Sequence, residues 1–136
     1  MKFAAASSAN GRNQMRERHR RDRAATELMR TRFPQFGALR LDFGFSDDGP
    51  FTPAPQVTVL HPPARAYFVF PCPYADCDGE FDLTASVDKL AADHETRTTG
   101  QVKCCGQRSR DHNSRQPCRL TLEFTCVAQP ESAPAS

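Results

Sequence analysis

Four of the six cysteines fall where the chain must turn, and that placement limits the fold more than any other feature. Cys72 follows a strand-like run and a proline, and Cys77-Asp78-Gly79 returns the chain to a new extended segment. Cys104-Cys105-Gly106 closes a second extended run, and Cys118 opens the last one. Gly79 can supply the positive φ that a tight turn often needs. Backbone N–H groups in such turns can point at thiolate sulfurs and stabilise their charge. Zn²⁺ takes four N or S donors in a tetrahedron, commonly two from each of two hairpin turns. The chain offers that arrangement.

Composition explains why a staple is needed. Leu, Val and Phe number 8, 6 and 10 among 136 residues, and Ile is absent. That share, roughly 18%, is just under the range of chains that build a core unaided. The net charge of +2 does not fit outright disorder. The chain is therefore expected to fold with help beyond burial.

Residues 1–12 begin like a weak signal peptide, but the apolar part is short and Asn10-Gly11-Arg12 interrupts it. They are read as a disordered lead-in to a cytoplasmic protein, where thiols stay reduced and serve as ligands more often than bridges. No stretch approaches the ~20 apolar residues that span a membrane. Arg outnumbers Lys 15 to 3, which together with the missing Ile fits a GC-rich, bacterial source.

The body, residues 13–127, reads as a single α+β domain, with 128–136 a disordered tail. Gln14 to Arg32 lacks Gly and Pro and is expected to be one helix. Ala25, Leu28 and Met29 share a face, so its second half is expected to dock and its Arg-rich first half to stay solvated. Leu39, Leu41, Phe43 and Phe45 alternate on one face of a strand, ended by the Ser46-Asp47-Asp48-Gly49-Pro50 turn. Further strands are expected over 56–61, 65–70, 80–83, from Gln101, and from Cys118 to Cys126. Ser86 to His94 reads as one short helix with Val87, Leu90 and Ala91 inward. Leu39–Phe45, Val57–Leu60, Ala66–Phe70 and Leu120–Phe124 are placed together in an antiparallel sheet.

Cys72-Pro73 through Cys77-Asp78-Gly79, with paired cysteines about thirty residues later, resembles a zinc ribbon, over roughly 65–127. The resemblance implies a small β-structure with two metal-holding turns, in a nucleic-acid-binding protein, a subunit of a larger machine or a protein adaptor. Two spacings depart from the commoner pattern. The first pair is C-x4-C, and Gln107 to Pro117 must bulge from the second turn. Six cysteines compete for four places. Cys126 is in phase with Leu122 and Phe124 and reads as a buried thiol. Cys104 is in phase with Val102, so the structural zinc ligands are read as Cys72, Cys77, Cys104 and Cys118, with Cys105 able to replace Cys104. His112 could also replace one ligand. Disulfides and unligated thiols remain the alternatives.

Four thiolates would close the metal shell, whereas catalytic zinc keeps an open position. No phosphate loop, nucleophile elbow or H-E-x-x-H is present. The function expected is a non-catalytic binding module; the alternative is a metal- or thiol-dependent enzyme or a redox protein. Charge then points to the partner. Residues 1–40 carry a net +7, residues 76–95 a net −6 and residues 97–119 a net +5. Arg16, Arg20 and Arg21 of the helix, with Lys103, Arg108, Arg110, Arg115 and Arg119 around the second turn, are the candidate contacts to nucleic acid or a protein partner. Tyr74 is the candidate for stacking on a base. The bland alternative is that the opposite charge blocks are ordinary solvated faces, or that they pair with each other.

Overall fold

A computed structural model describes residues 3–49, 52–111 and 114–130. The chain runs through helix α1 (Phe3–Ala25), a single helical turn α2 (Met29–Arg32), and strands β1 (Phe36–Ser46), β2 (Gln56–Leu60), β3 (Val69–Pro71) and β4 (Glu80–Asp82). Helix α3 (Thr84–Ala92) and strands β5 (Arg97–Lys103), β6 (Gln107–Asp111), β7 (Ser114–Pro117) and β8 (Thr121–Pro130) complete it. The architecture is α+β, as expected, with an antiparallel four-stranded sheet ordered β2-β1-β8-β5. Among the described residues no helix is long and apolar enough to cross a membrane.

The period-two pattern sets the sheet's inner face. Leu39, Leu41 and Phe43 of β1 lie opposite Ala128, Cys126 and Phe124 of β8, and all six are buried. Phenylalanine replaces the missing Ile as bulk. Phe33 stacks on Phe36 at 5.1 Å and leans on Phe68. Phe43 meets Phe70 edge-on at 5.1 Å, and Phe45 approaches Phe81. That second group joins the sheet to the β3–β4 arm, each pair contributing about 0.5–1.5 kcal/mol beyond area burial. α3 seals the core with Val87 and Leu90, Ala91 packing against it. His94 sits just past the helix with φ 53, and Glu95 N–H donates to Leu90 O, an αL ending that glycine usually supplies.

Several expectations need correction. The expected helix over 14–32 is two helices. At Glu27 and Leu28 the chain straightens and pairs with residues 64–66: Ala66 N–H donates to Glu27 O at 2.8 Å and Met29 N–H to Ala64 O at 2.9 Å. Tertiary pairing overrides good helix propensity there. α1 also begins at Phe3, inside the segment expected as a disordered lead-in.

The docking half is only partly as expected: Met29 is buried and Leu28 half-buried, but the first half of the expected helix docks as well. Met15 and His19 are buried in α1, whereas Ala25 is exposed. The docking face, Arg12, Met15 and His19, is mostly polar and held by hydrogen bonds from Arg12 and His19, which hydrophobic periodicity cannot see. His19 Nε2 donates to Glu80, and Arg18 pairs with the same carboxylate at 2.7 Å. His19 Nδ1 is buried with no hydrogen-bond partner among the described residues.

The segment 66–70 is not in the main sheet. Only Val69–Pro71 is strand, and it pairs with β4; the place in the sheet belongs to β5. β8 continues past Val127 to Pro130, with Ala128 buried, so the expected tail contributes sheet; residues 131–136 lie outside the described residues. Val57 and Val59 share a face, but it is the outer one, where they are exposed.

Gly100 in β5 lies opposite Phe124, whose ring covers it: a Cβ there would sit 2.7 Å from Phe124 Cζ. Gly100→Val should therefore destabilise by about 1–3 kcal/mol despite valine's better strand propensity. In a Phe124→Leu background that loss should shrink. Denaturant unfolding of the double-mutant cycle measures the coupling, and simple additivity would refute the packing account.

Candidate metal centre

Two turns and the chain around them bring four cysteines together. β3 delivers Cys72, and β4 follows Cys77-Asp78-Gly79. β5 delivers Cys104, and Cys118 leads through Leu120 into β8. Between Gly106 and Cys118, β6 pairs antiparallel with β7, which is how the expected bulge is accommodated. His112 lies outside the described residues.

The backbone of the two turns is nearly symmetric. Each contains a Cys-x-Gly step. Gly79 N–H donates to Cys77 Sγ at 3.3 Å, and Gly106 N–H to Cys104 Sγ at 3.4 Å. Cys72 N–H donates to Gly79 O at 3.0 Å, and Cys118 N–H to Gly106 O at 2.9 Å. Each turn thus presents N–H donors to sulfur, an arrangement that stabilises thiolate charge.

Cys72, Cys77, Cys104 and Cys118 are all buried, and their four Sγ atoms lie within 4.8 Å of one another. Cys72 and Cys118 are 3.9 Å apart at sulfur, Cys77 and Cys104 3.6 Å. A zinc tetrahedron with Zn–S of about 2.3 Å has sulfur–sulfur edges of about 3.8 Å. A disulfide would need about 2.0 Å, and all four cysteines are free thiols. Such a group of sulfurs can hold a metal ion.

The remaining cysteines separate as expected. Cys105 is exposed and lies outside the group of four sulfurs. Cys126 is buried under the sheet, and burial pushes its thiol up to about 11.

Without a cation, four crowded thiols cannot all ionise. Hydrogen bonding with Cys104, the other sulfurs and burial raise Cys72; hydrogen bonding with Cys118 raises Cys104. Hydrogen bonding from Cys104 in turn lowers Cys77 and Cys118. Protons are thereby shared among the four sulfurs. A divalent cation would displace the held protons, so its affinity falls as pH falls.

The glycines are there for a different reason from the one the sequence implied. No glycine among the described residues has positive φ. Instead the two turns touch at Gly79 and Gly106. A Cβ on Gly79 would meet Cys104 Sγ at 2.3 Å, and one on Gly106 would meet Gly79 Cα and N at 2.3 Å. The requirement is close approach, not turn conformation.

Charge pairing consumes part of the candidate binding set. Arg108 bonds Asp76 at 3.0 Å and lies 3.6 Å over the Tyr74 ring, so that ring face is occupied. Arg115 pairs with Asp78, whose other oxygen accepts Gln107 N–H at 2.8 Å. Arg119 meets Asp48 at 3.6 Å. Arg108 and Arg115 tie the hairpin to the first turn, a pairing between the opposite charge blocks. Tyr74 O–H donates to Asp47 at 2.6 Å, holding that carboxyl below the usual range, while burial and this bond push the tyrosine up to about 12. Arg16, Arg20, Arg21 and Lys103 remain exposed, Arg20 beside Glu17 on its own helix. The side chain of Arg110 lies outside the described residues.

One residue escaped sequence reading. Arg12 of α1 reaches the first turn and donates from Nη1 to the carbonyls of Cys72 at 3.2 Å, Tyr74 at 2.9 Å and Cys77 at 2.8 Å. Nothing local marks it out, because its partners are 60 to 65 residues away.

In comparisons with known proteins, no family model, no curated protein and no solved structure matches this chain. The functional reading rests on the chemistry of the donors.

Gly79→Ala and Gly106→Ala should each cost at or above the top of the ~1–3 kcal/mol range of overpacking, because backbone or ligand sulfur blocks the new methyl group. Chemical denaturation measures this. Wild-type stability in either variant would contradict the close approach of the turns.

Proposed function

We propose that the protein is a zinc-stabilised, non-catalytic binding module. The observation that carries this reading is the convergence of four buried sulfurs at tetrahedral spacing. Zinc is the favoured ion because an all-thiolate tetrahedron suits its borderline-soft character. Four thiolates fill its shell and leave no position for a reacting water, which argues against a hydrolytic role. Free thiols fit a reducing compartment such as the cytoplasm.

The binding surface is the outward side of α1. Arg16 and Arg21 are exposed and Arg20 pairs with Glu17 on the same helix, while Arg108, Arg115 and Arg119 near the second turn are engaged by Asp76, Asp78 and Asp48. Exposed, closely spaced arginines suit phosphate, so the partner proposed is a nucleic-acid backbone.

Native mass spectrometry should find one zinc per chain, and a strong chelator should unfold the domain. Cys72→Ser should unfold it as well, because metal-binding free energy here is folding free energy. A metal-free chain that stays folded in chelator would reject the reading.

Filter binding of DNA and RNA at two salt concentrations tests the partner. Retention should fall steeply with salt, and Arg16→Ala with Arg21→Ala should reduce the slope by about one per residue. Absence of retention at low salt would remove nucleic acid and leave a protein partner.

A further inference from the structure

A divalent cation held by four thiolates stays net anionic, and burying a net charge is costly unless it is compensated. The page offers a compensating cation. The first turn presents N–H groups to sulfur, from Gly79 to Cys77 and from Tyr74 to Cys72. Its carbonyls at Cys72, Tyr74 and Cys77 face the other way, onto one guanidinium nitrogen of Arg12. Cys72 and Cys77, the two ligands of this turn, thus have their sulfurs in the metal site and their backbone carbonyls on Arg12. The guanidinium fixes the backbone of both ligand residues and sets a positive charge on the same turn as their thiolates.

Arg12 is also the leading anchor of α1. Among the described residues, Arg18 and His19 of the helix both reach Glu80, the residue directly after Gly79. Arg23 lies over Tyr67, two residues before β3. These anchors all fall on the first turn and the chain just flanking it. Loss of order in that turn would remove most of what docks the basic helix.

We infer that Arg12 is the charge-compensating positioning residue of the metal centre, and that metal occupancy is thereby coupled to docking of helix α1. The inference rests on the metal reading above and deepens it, by naming what the metal regulates: presentation of the arginine surface. Since coupling is reciprocal, a polyanion that prefers docked α1 would also tighten metal binding.

The test uses the full chain and Co²⁺, titrated in competition with a chelating dye. Arg12→Gln should weaken cobalt binding by roughly tenfold or more, the range for a lost outer partner of a metal site. Arg12→Lys keeps the charge and should fall closer to wild type. Far-UV dichroism should show the sheet retained in the lysine variant, which keeps the comparison valid if Arg12→Gln folds poorly. Limited trypsin digestion gives the second readout. Cleavage after Arg16, Arg20 and Arg21 should be slow in metal-loaded wild type, fast after stripping, and fast in loaded Arg12→Gln. Wild-type cobalt affinity in Arg12→Gln, or equal trypsin cleavage with and without metal in wild type, would overturn the inference. A wild-type chain that takes up no cobalt would instead remove the metal reading itself, and this inference with it.

Discussion

The contact between Gly79 and Gly106 sets the geometry of everything around the cysteines. Only two residues without side chains let the turns approach until a Cβ on either would strike the other turn. At that separation four sulfurs share one small volume. The pieces they connect are distant in sequence: the β3–β4 arm, the ends of β5 and β8 in the main sheet, the β6–β7 hairpin and, through Arg12, the N-terminal helix. A chain with few aliphatic residues cannot tie so many pieces by burial alone. Phe43 with Phe70 and Phe45 with Phe81 join sheet to arm, and the sulfurs join them again.

Around this node the packing is polar. Arg108 with Asp76, Arg115 with Asp78 and Arg12 with three carbonyls bridge elements by charge-assisted bonds. Pairs as exposed as Arg119–Asp48 contribute little, since solvent and salt screen them. Arg108 differs: it is partly buried, stacked on Tyr74 and bonded to Asp76. Opposite charge blocks along the sequence therefore serve the fold first, and only cations outside those pairs are free for a partner.

What was legible in the sequence follows from what each signal measures. The strict alternation of Leu39 to Phe45 and of Cys118 to Cys126 reports a half-buried sheet face, and β1 and β8 follow it. The phase of Cys104 with Val102 separated it from Cys105, and burial agrees. The pattern could not reveal that Glu27–Leu28 would leave the helix to pair with 64–66, because that pairing is tertiary. Nor could it find a docking face made of Arg12, Met15 and His19, whose burial depends on hydrogen bonds rather than apolar periodicity. The glycines were noticed for their backbone freedom, yet the structure uses their lack of a side chain. Spacing alone cannot distinguish those two needs.

The central claim is that four thiolates, and nothing else, surround one zinc ion. X-ray absorption at the zinc edge of the purified full-length chain addresses it most directly. The account predicts four sulfur scatterers at about 2.3 Å and no nitrogen or oxygen neighbour. A shell containing nitrogen or oxygen, fewer than four sulfurs, or no bound zinc would contradict it.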